Sequence, residues 1–184
     1  MSFNLKPYFL LFFCELFFAQ SPVLAQGNAQ IHLVDVIEYV HELDLRNFEK
    51  QIEGKTRIYF GVLKNSNIVH FELVKKTDKT GMKIRKIQSD FSMKWSHEND
   101  SIRIENTKGF KALETYWVDI NYQGTPADGL IISKNPHGTP VVFADNWPNR
   151  AHHWFPCIDH LSDKALVEFK VKHPHNYKVI SNGS

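Results

Sequence analysis

The sequence predicts an all-β fold, a mostly antiparallel β-sandwich preceded by a cleavable signal peptide. Three observations predict it: apolar and polar residues alternate with period two in several runs, turn-forming clusters separate those runs, and the composition is that of a globular protein. The chain has 184 residues, 42% hydrophobic and 23% charged, with 9 Gly and 8 Pro. Alternation at period two puts successive side chains on opposite faces of a strand, so each run reads as half buried. Short strands with frequent turns indicate a sandwich. A chain near this length buries roughly 70% of its unfolded surface, enough for one core.

Residues 1–25 read as the leader. Lys6 precedes an almost wholly apolar run from Tyr8 to Phe18, interrupted by Glu15, and small residues follow at Ala19, Ser21 and Ala25. That layout fits a secretory signal peptide cleaved after Ala25, with residues 26–184 as the mature domain. The run is too short for the roughly 20 residues that cross a bilayer, so no stable membrane span is expected. The expected location is secreted or periplasmic. Lys6 and Glu15 are the only charges removed with the leader, so the formal charge of +2 is unchanged and gives no call for nucleic acid. Cys14 leaves with the leader, and the single Cys157 excludes a disulfide framework.

In the mature chain Val34–Leu45 can alternate (Tyr39, His41, Leu43 and Leu45 against Glu38, Val40, Glu42 and Asp44), although Val36, Ile37, Val40 and Leu43 also sit at helical spacing. The strand is preferred, because β-branched residues open the segment and no capping box introduces it. Val69, Phe71 and Leu73 alternate with His70 and Glu72; Ile102 and Ile104 with Arg103 and Glu105; Tyr116, Val118, Ile120 and Tyr122 with Trp117, Asp119 and Asn121. Ala165, Val167, Phe169 and Val171 against Glu168, Lys170 and Lys172 complete the set, all read as antiparallel-type strands with one wet face. Turn signals fall at 64–67, 77–81, 98–101, 124–129 and 135–140. The basic stretch Lys75, Lys76, Lys79, Lys83, Arg85 and Lys86 has no interleaved aromatics, so it reads as a solvated hairpin.

Metal chemistry is tested by spacing. His41-Glu42 and His97-Glu98 each lack a second His at the spacing of a zinc helix. His152, His153, Asp159 and His160 are competent ligands by type, but adjacent His on an extended segment point to opposite faces, which favours structural roles. Cys157, between Pro156 and Ile158, reads as a buried, inert thiol. The chain contains no Gly-rich phosphate loop and no GxSxG elbow. Asn99-Asp100-Ser101 and Asn182-Gly183-Ser184 match the glycosylation sequon.

Asn146-Trp147-Pro148, then Phe155-Pro156-Cys157 with Asp159, Lys164-Ala165, Pro174 and Ser181-Asn182-Gly183 follow one another over some forty residues. This order resembles the end of the N-terminal domain of the aminopeptidase N-like (gluzincin) zinc metallo-aminopeptidase family. Upstream, Tyr39–Leu45 resembles the family's opening strand, Ile52-Glu53-Gly54 its next turn, and Ile120–Gly124 its strand ending in Tyr-x-Gly. The resemblance implies a saddle-like β domain that packs on a catalytic domain of the same polypeptide and walls its active-site cleft. It also implies zinc and a peptide substrate for the full-length enzyme. The HExxH zinc site is absent from this chain, so no catalytic residue, no metal ligand and no cofactor is assigned to it. The family continues with further strands, so the domain is expected to be truncated at its C-terminal end.

Members of the family hold the substrate ammonium with a Glu or Gln from this domain. Counting back from Phe155 puts Trp147 at that position and His152 where an Arg stands. An indole face can hold an ammonium, at roughly 0.5–2 kcal/mol, but accepts no charge-assisted hydrogen bond. Asp145, Asn146 and Trp147 are therefore the substrate-binding candidates. The alternative to an enzyme part is a free-standing exported β-sandwich binding module.

Overall fold

The computed structural model describes residues 33–181, so the expected leader, its expected cleavage point and the second sequon lie outside the described residues. Ten strands carry the fold: β1 (Val34–Asp44), β2 (Ile52–Val62), β3 (Ser66–Glu72), β4 (Gly81–Gln88), β5 (Met93–Glu98), β6 (Ser101–Phe110), β7 (Thr115–Thr125), β8 (Leu130–Lys134), β9 (Pro140–Ala144) and β10 (Leu166–Lys172). A 3₁₀ turn at Ala151–His153 is the one helical element among the described residues.

A five-stranded sheet in the order β10-β1-β2-β7-β4 faces a three-stranded sheet, β3-β6-β5, and β8-β9 forms a separate hairpin. The two larger sheets meet through one apolar core. Phe60 of β2 packs its ring 5.3 Å from Phe71 of β3 and 6.0 Å from Phe110 of β6. The alternation read from sequence holds here: Val69, Phe71, Leu73, Ile102, Ile104, Val118, Ile120 and Tyr122 are buried. Val34–Asp44 is a strand, and its phase is reset by a bulge between Val36 and Glu38. The extra residue, Ile37, stays exposed while Val34 and Val36 before it and Tyr39, His41 and Leu43 after it all face the core.

Three expectations are corrected. Ile52-Glu53-Gly54 is the start of β2, not a turn, and pairs with Gln123 and its neighbours of β7. Gly54 is needed there because the Tyr122 ring crosses it where a Cβ would stand. The segment read as Ala165–Val171 is β10, which pairs parallel to β1, with Val167 opposite Tyr39 and Phe169 opposite His41. Its apolar face is only partly covered: Ala165 and Val171 pack against the core and Phe169 stacks 5.0 Å from His41, while Val167 is 53% exposed and Phe169 38%. The third concerns the adjacent histidines. His152 and His153 lie in the 3₁₀ turn, not on an extended segment, which brings their ring centroids to 4.5 Å.

The basic stretch closes as a turn, with the Thr77 N–H donating to Thr80 and the Lys76 N–H to Met82, and it leaves Lys76, Lys79, Lys83, Arg85 and Lys86 exposed. The β5–β6 hairpin turns through Asn99 and Asp100, both at positive φ (49° and 59°), the geometry of a type I′ turn. Asn99 of the first sequon is exposed at that tip.

Candidate functional site

The segment from Asp145 to Asp159 crosses one side of the domain and is stitched to it at several points. Cys157 exchanges backbone hydrogen bonds with Glu72 at the end of β3 (2.7 and 3.1 Å). The Val74 N–H donates to the His152 carbonyl at 2.8 Å, and the Ile158 N–H to the Tyr39 hydroxyl at 3.0 Å. Trp154 and Phe155 are buried, their rings 4.5 Å apart, and Phe155 reaches His41 at 4.3 Å. The aromatic run around Phe-Pro-Cys is therefore a plug that closes the core beside β1 and β10.

The three substrate-binding candidates lie together on the loop before this plug, and the fold uses them differently. Asp145 accepts from the Arg150 guanidinium at 2.5 Å, and its own N–H donates to the Gly129 carbonyl. Asn146 accepts the Trp154 indole N–H at 2.9 Å, so its side chain braces the plug. Trp147, joined to Pro148 by a cis peptide bond, is 70% exposed and carries no such bond from its side chain. Of the three, the indole is the most exposed and the one whose side chain makes no hydrogen bond or ion pair.

Arg150 is the residue that sequence reasoning missed here. Its Nε donates to the Trp147 carbonyl at 2.7 Å, one terminal nitrogen meets Asp145 and the other lies 3.4 Å from Asp128. One guanidinium thus ties the residue two before β8, the residue just after β9, and the loop. Gly129, at φ +74°, lies under this joint, and a Cβ on it would strike the Arg150 carbonyl and the Trp154 ring. The sequence signal was the charge complementarity of Asp128, Asp145 and Arg150, which no local spacing links.

In the histidine-rich cluster His152, Asp159 and His160 have partners within the fold, while His153 Nδ1 is buried without a hydrogen bond. His152 Nδ1 pairs with Asp159 Oδ2 at 2.7 Å, and this bond raises the His152 pKa above the usual imidazole value. The Asp159 carboxyl is held below its usual range by that bond, against burial. His160 bonds Ser162 in its own turn. Cys157 is buried, and burial pushes its thiol well up, so it stays protonated, a poor nucleophile. Inside the core His41 is fully buried, its Nδ1 bonded to the Thr56 hydroxyl at 2.9 Å, which in turn donates to Tyr122 at 3.4 Å. His41 Nε2 has no partner, and burial depresses its pKa to about 3, so the ring is neutral.

On the opposite face of the five-stranded sheet, Arg57 forms a bidentate pair with Asp119 (2.6 and 2.7 Å) and stacks 4.6 Å over Trp117. Lys55 adds a second cation to Asp119 at 3.5 Å. These groups satisfy one another and cross-link β2 to β7.

The fold and this loop define a β domain with a braced, aromatic edge. Residues 37–184 match the Peptidase M1 N-terminal domain family, and the chain belongs to that family. Among solved structures, the M1 zinc metallopeptidase of Deinococcus radiodurans is similar at 22% identity and a TM-score of 0.62, over 77% of this chain and 32% of that one. A mutant of that enzyme bound to a Tyr-Ser-Ala substrate is similar at 20% identity and a TM-score of 0.63, over 77% and 33%. A mutant two-domain M1 zinc metallopeptidase bound to L-tryptophan is similar at 23% identity and a TM-score of 0.63, with the same coverage. The chain spans about a third of the length of these solved relatives. No curated protein matches it.

Those relatives are zinc enzymes, and the residues described here do not fit zinc. Among them no group of three or more His, Cys, Asp or Glu side chains could hold a metal ion. His41 and His97, the two histidines followed by Glu, sit on β1 and β5 and are buried on Thr56 and the Leu73 carbonyl.

Proposed function

We propose that this chain is the N-terminal β domain of an exported zinc metallo-aminopeptidase, packing on a catalytic domain of the same polypeptide and walling one side of its active-site cleft. It catalyses nothing alone. The observation that carries the reading is the uncovered edge at β10: Val167 and Phe169 stand in register with the core residues Tyr39 and His41, yet are 53% and 38% exposed. Apolar side chains in core register at an open sheet edge fit a face that further strands and a further domain cover. Export rests on the leader-like residues 1–25, and the peptide substrate on family membership. In this reading the loop of Asp145, Asn146 and Trp147 faces the cleft, with Trp147 the side chain that meets the substrate.

The reading frame after Ser184 tests this. An HExxH segment with a further Glu downstream supports the enzyme, and the encoded two-part protein then releases amino acids from aminoacyl reporter substrates while residues 26–184 alone release none. A stop codon directly after Ser184, or turnover by the isolated chain, overturns it and leaves the free-standing binding module.

A further inference from the structure

Arg150 makes several of the contacts that hold the loop carrying Trp147. We propose that Arg150 is a positioning residue: it fixes Trp147 outward and pairs with the Asp145 carboxylate, so that the loop offers its ligand an indole beside an acid whose charge is already compensated. The claim deepens the cleft-wall reading above and rests on it for what the loop faces.

Each part follows from the contacts. The Nε–H bond to the Trp147 carbonyl fixes the backbone from which the indole projects (2.7 Å). The Arg150 N–H also donates to the Asn146 carbonyl at 3.0 Å, so two successive carbonyls of the loop are held by the same residue. Asp145 and Asp128 anchor the guanidinium from the two ends of the β8–β9 hairpin. A planar fork with five donors can meet three acceptors in one plane, whereas a lysine ammonium is a single point charge. Asn146 Oδ1 is taken by Trp154. The most exposed group of the loop's three candidates is the Trp147 ring, a rigid surface with few rotatable bonds, suited to an apolar side chain or to a cation met through the π face.

The test is fluorine NMR of the full chain labelled with 5-fluorotryptophan, which gives one resonance for each of its 4 tryptophans. Trp147→Phe assigns the signal of interest. In Arg150→Ala the Trp147 resonance should narrow and move to the unfolded-chain position, while those of Trp95 and Trp117 stay. Arg150→Lys should restore only part of the native shift. An unchanged Trp147 resonance in Arg150→Ala overturns the proposal. If Arg150→Ala unfolds the chain, Arg150→Lys decides: displacement of Trp147 with Trp95 and Trp117 native supports it, and no displacement overturns it. The measurement reads the loop alone. An HExxH frame with an unresponsive Trp147 removes the role of Arg150 and keeps the enzyme, while a stop codon with a responsive Trp147 does the reverse.

Discussion

Acid should weaken this domain through His41. The ring is fully buried among Tyr39, Phe155 and Phe169, bonded only through Nδ1 to Thr56, and its pKa is lowered to about 3 by burial. In the unfolded chain an imidazole titrates near 6.5, so the unfolded state takes up a proton that the native state refuses. The stabilising effect of the neutral ring is present above about pH 6.5 and is lost as pH falls from there toward 3. Each pH unit in that window removes about 1.4 kcal/mol, so moving from pH 7 to pH 5 costs about 2 kcal/mol from this residue. Urea unfolding at the two pH values measures the loss, with the same pair of measurements on His41→Leu. The leucine fits the apolar surroundings and leaves Thr56 its contact with Tyr122. His70, His97 and His153, also lowered by burial, and His152, raised by Asp159, titrate in both proteins, so the difference between them isolates His41. Equal acid losses in the two proteins would refute the reasoning.

Two further outcomes are expected. Gly129→Ala should destabilise the domain by about 1–3 kcal/mol, because the residue sits at φ +74° against the Arg150 carbonyl and the Trp154 ring; a urea midpoint within error of the parent contradicts this. Cys157 should resist alkylation by iodoacetamide in native buffer and react in denaturant, read by mass spectrometry of its peptide, since its thiol is buried with a raised pKa; rapid native labelling would show an accessible thiolate.

The strands legible from sequence were those whose alternation ran unbroken. Ile102 with Ile104 and Val118 with Ile120 could be assigned to a face without any partner in view. β2 was missed although Thr56, Ile58, Phe60 and Val62 alternate, because its opening Ile52-Glu53-Gly54 resembles a turn. β4 escaped for a different reason: a bulge between Ile84 and Lys86 breaks its period, and the cations dominate its composition. The candidate loop was found by its motif, which put Trp147 at the ammonium-holding position with Asp145 and Asn146 beside it. The partners were not legible: only the positions of Arg150 and Trp154 show that Asp145 and Asn146 are bonded within the fold while the indole is not.

The sequence by itself determined that this is a β protein, which side chains of the regular strands share a face, and which family's order of motifs it carries. Those properties depend on neighbours one or two residues apart and on the order of motifs along the chain. Tertiary structure alone decided that β10 runs parallel beside β1 with its apolar residues partly exposed, that His41 is a neutral core ring, and that Arg150 gathers Asp128, Asp145 and the Trp147 carbonyl. The first two join residues more than a hundred positions apart or depend on burial; the last depends on a turn returning the chain to the β8–β9 hairpin. No local pattern records which groups such a path brings within hydrogen-bonding distance.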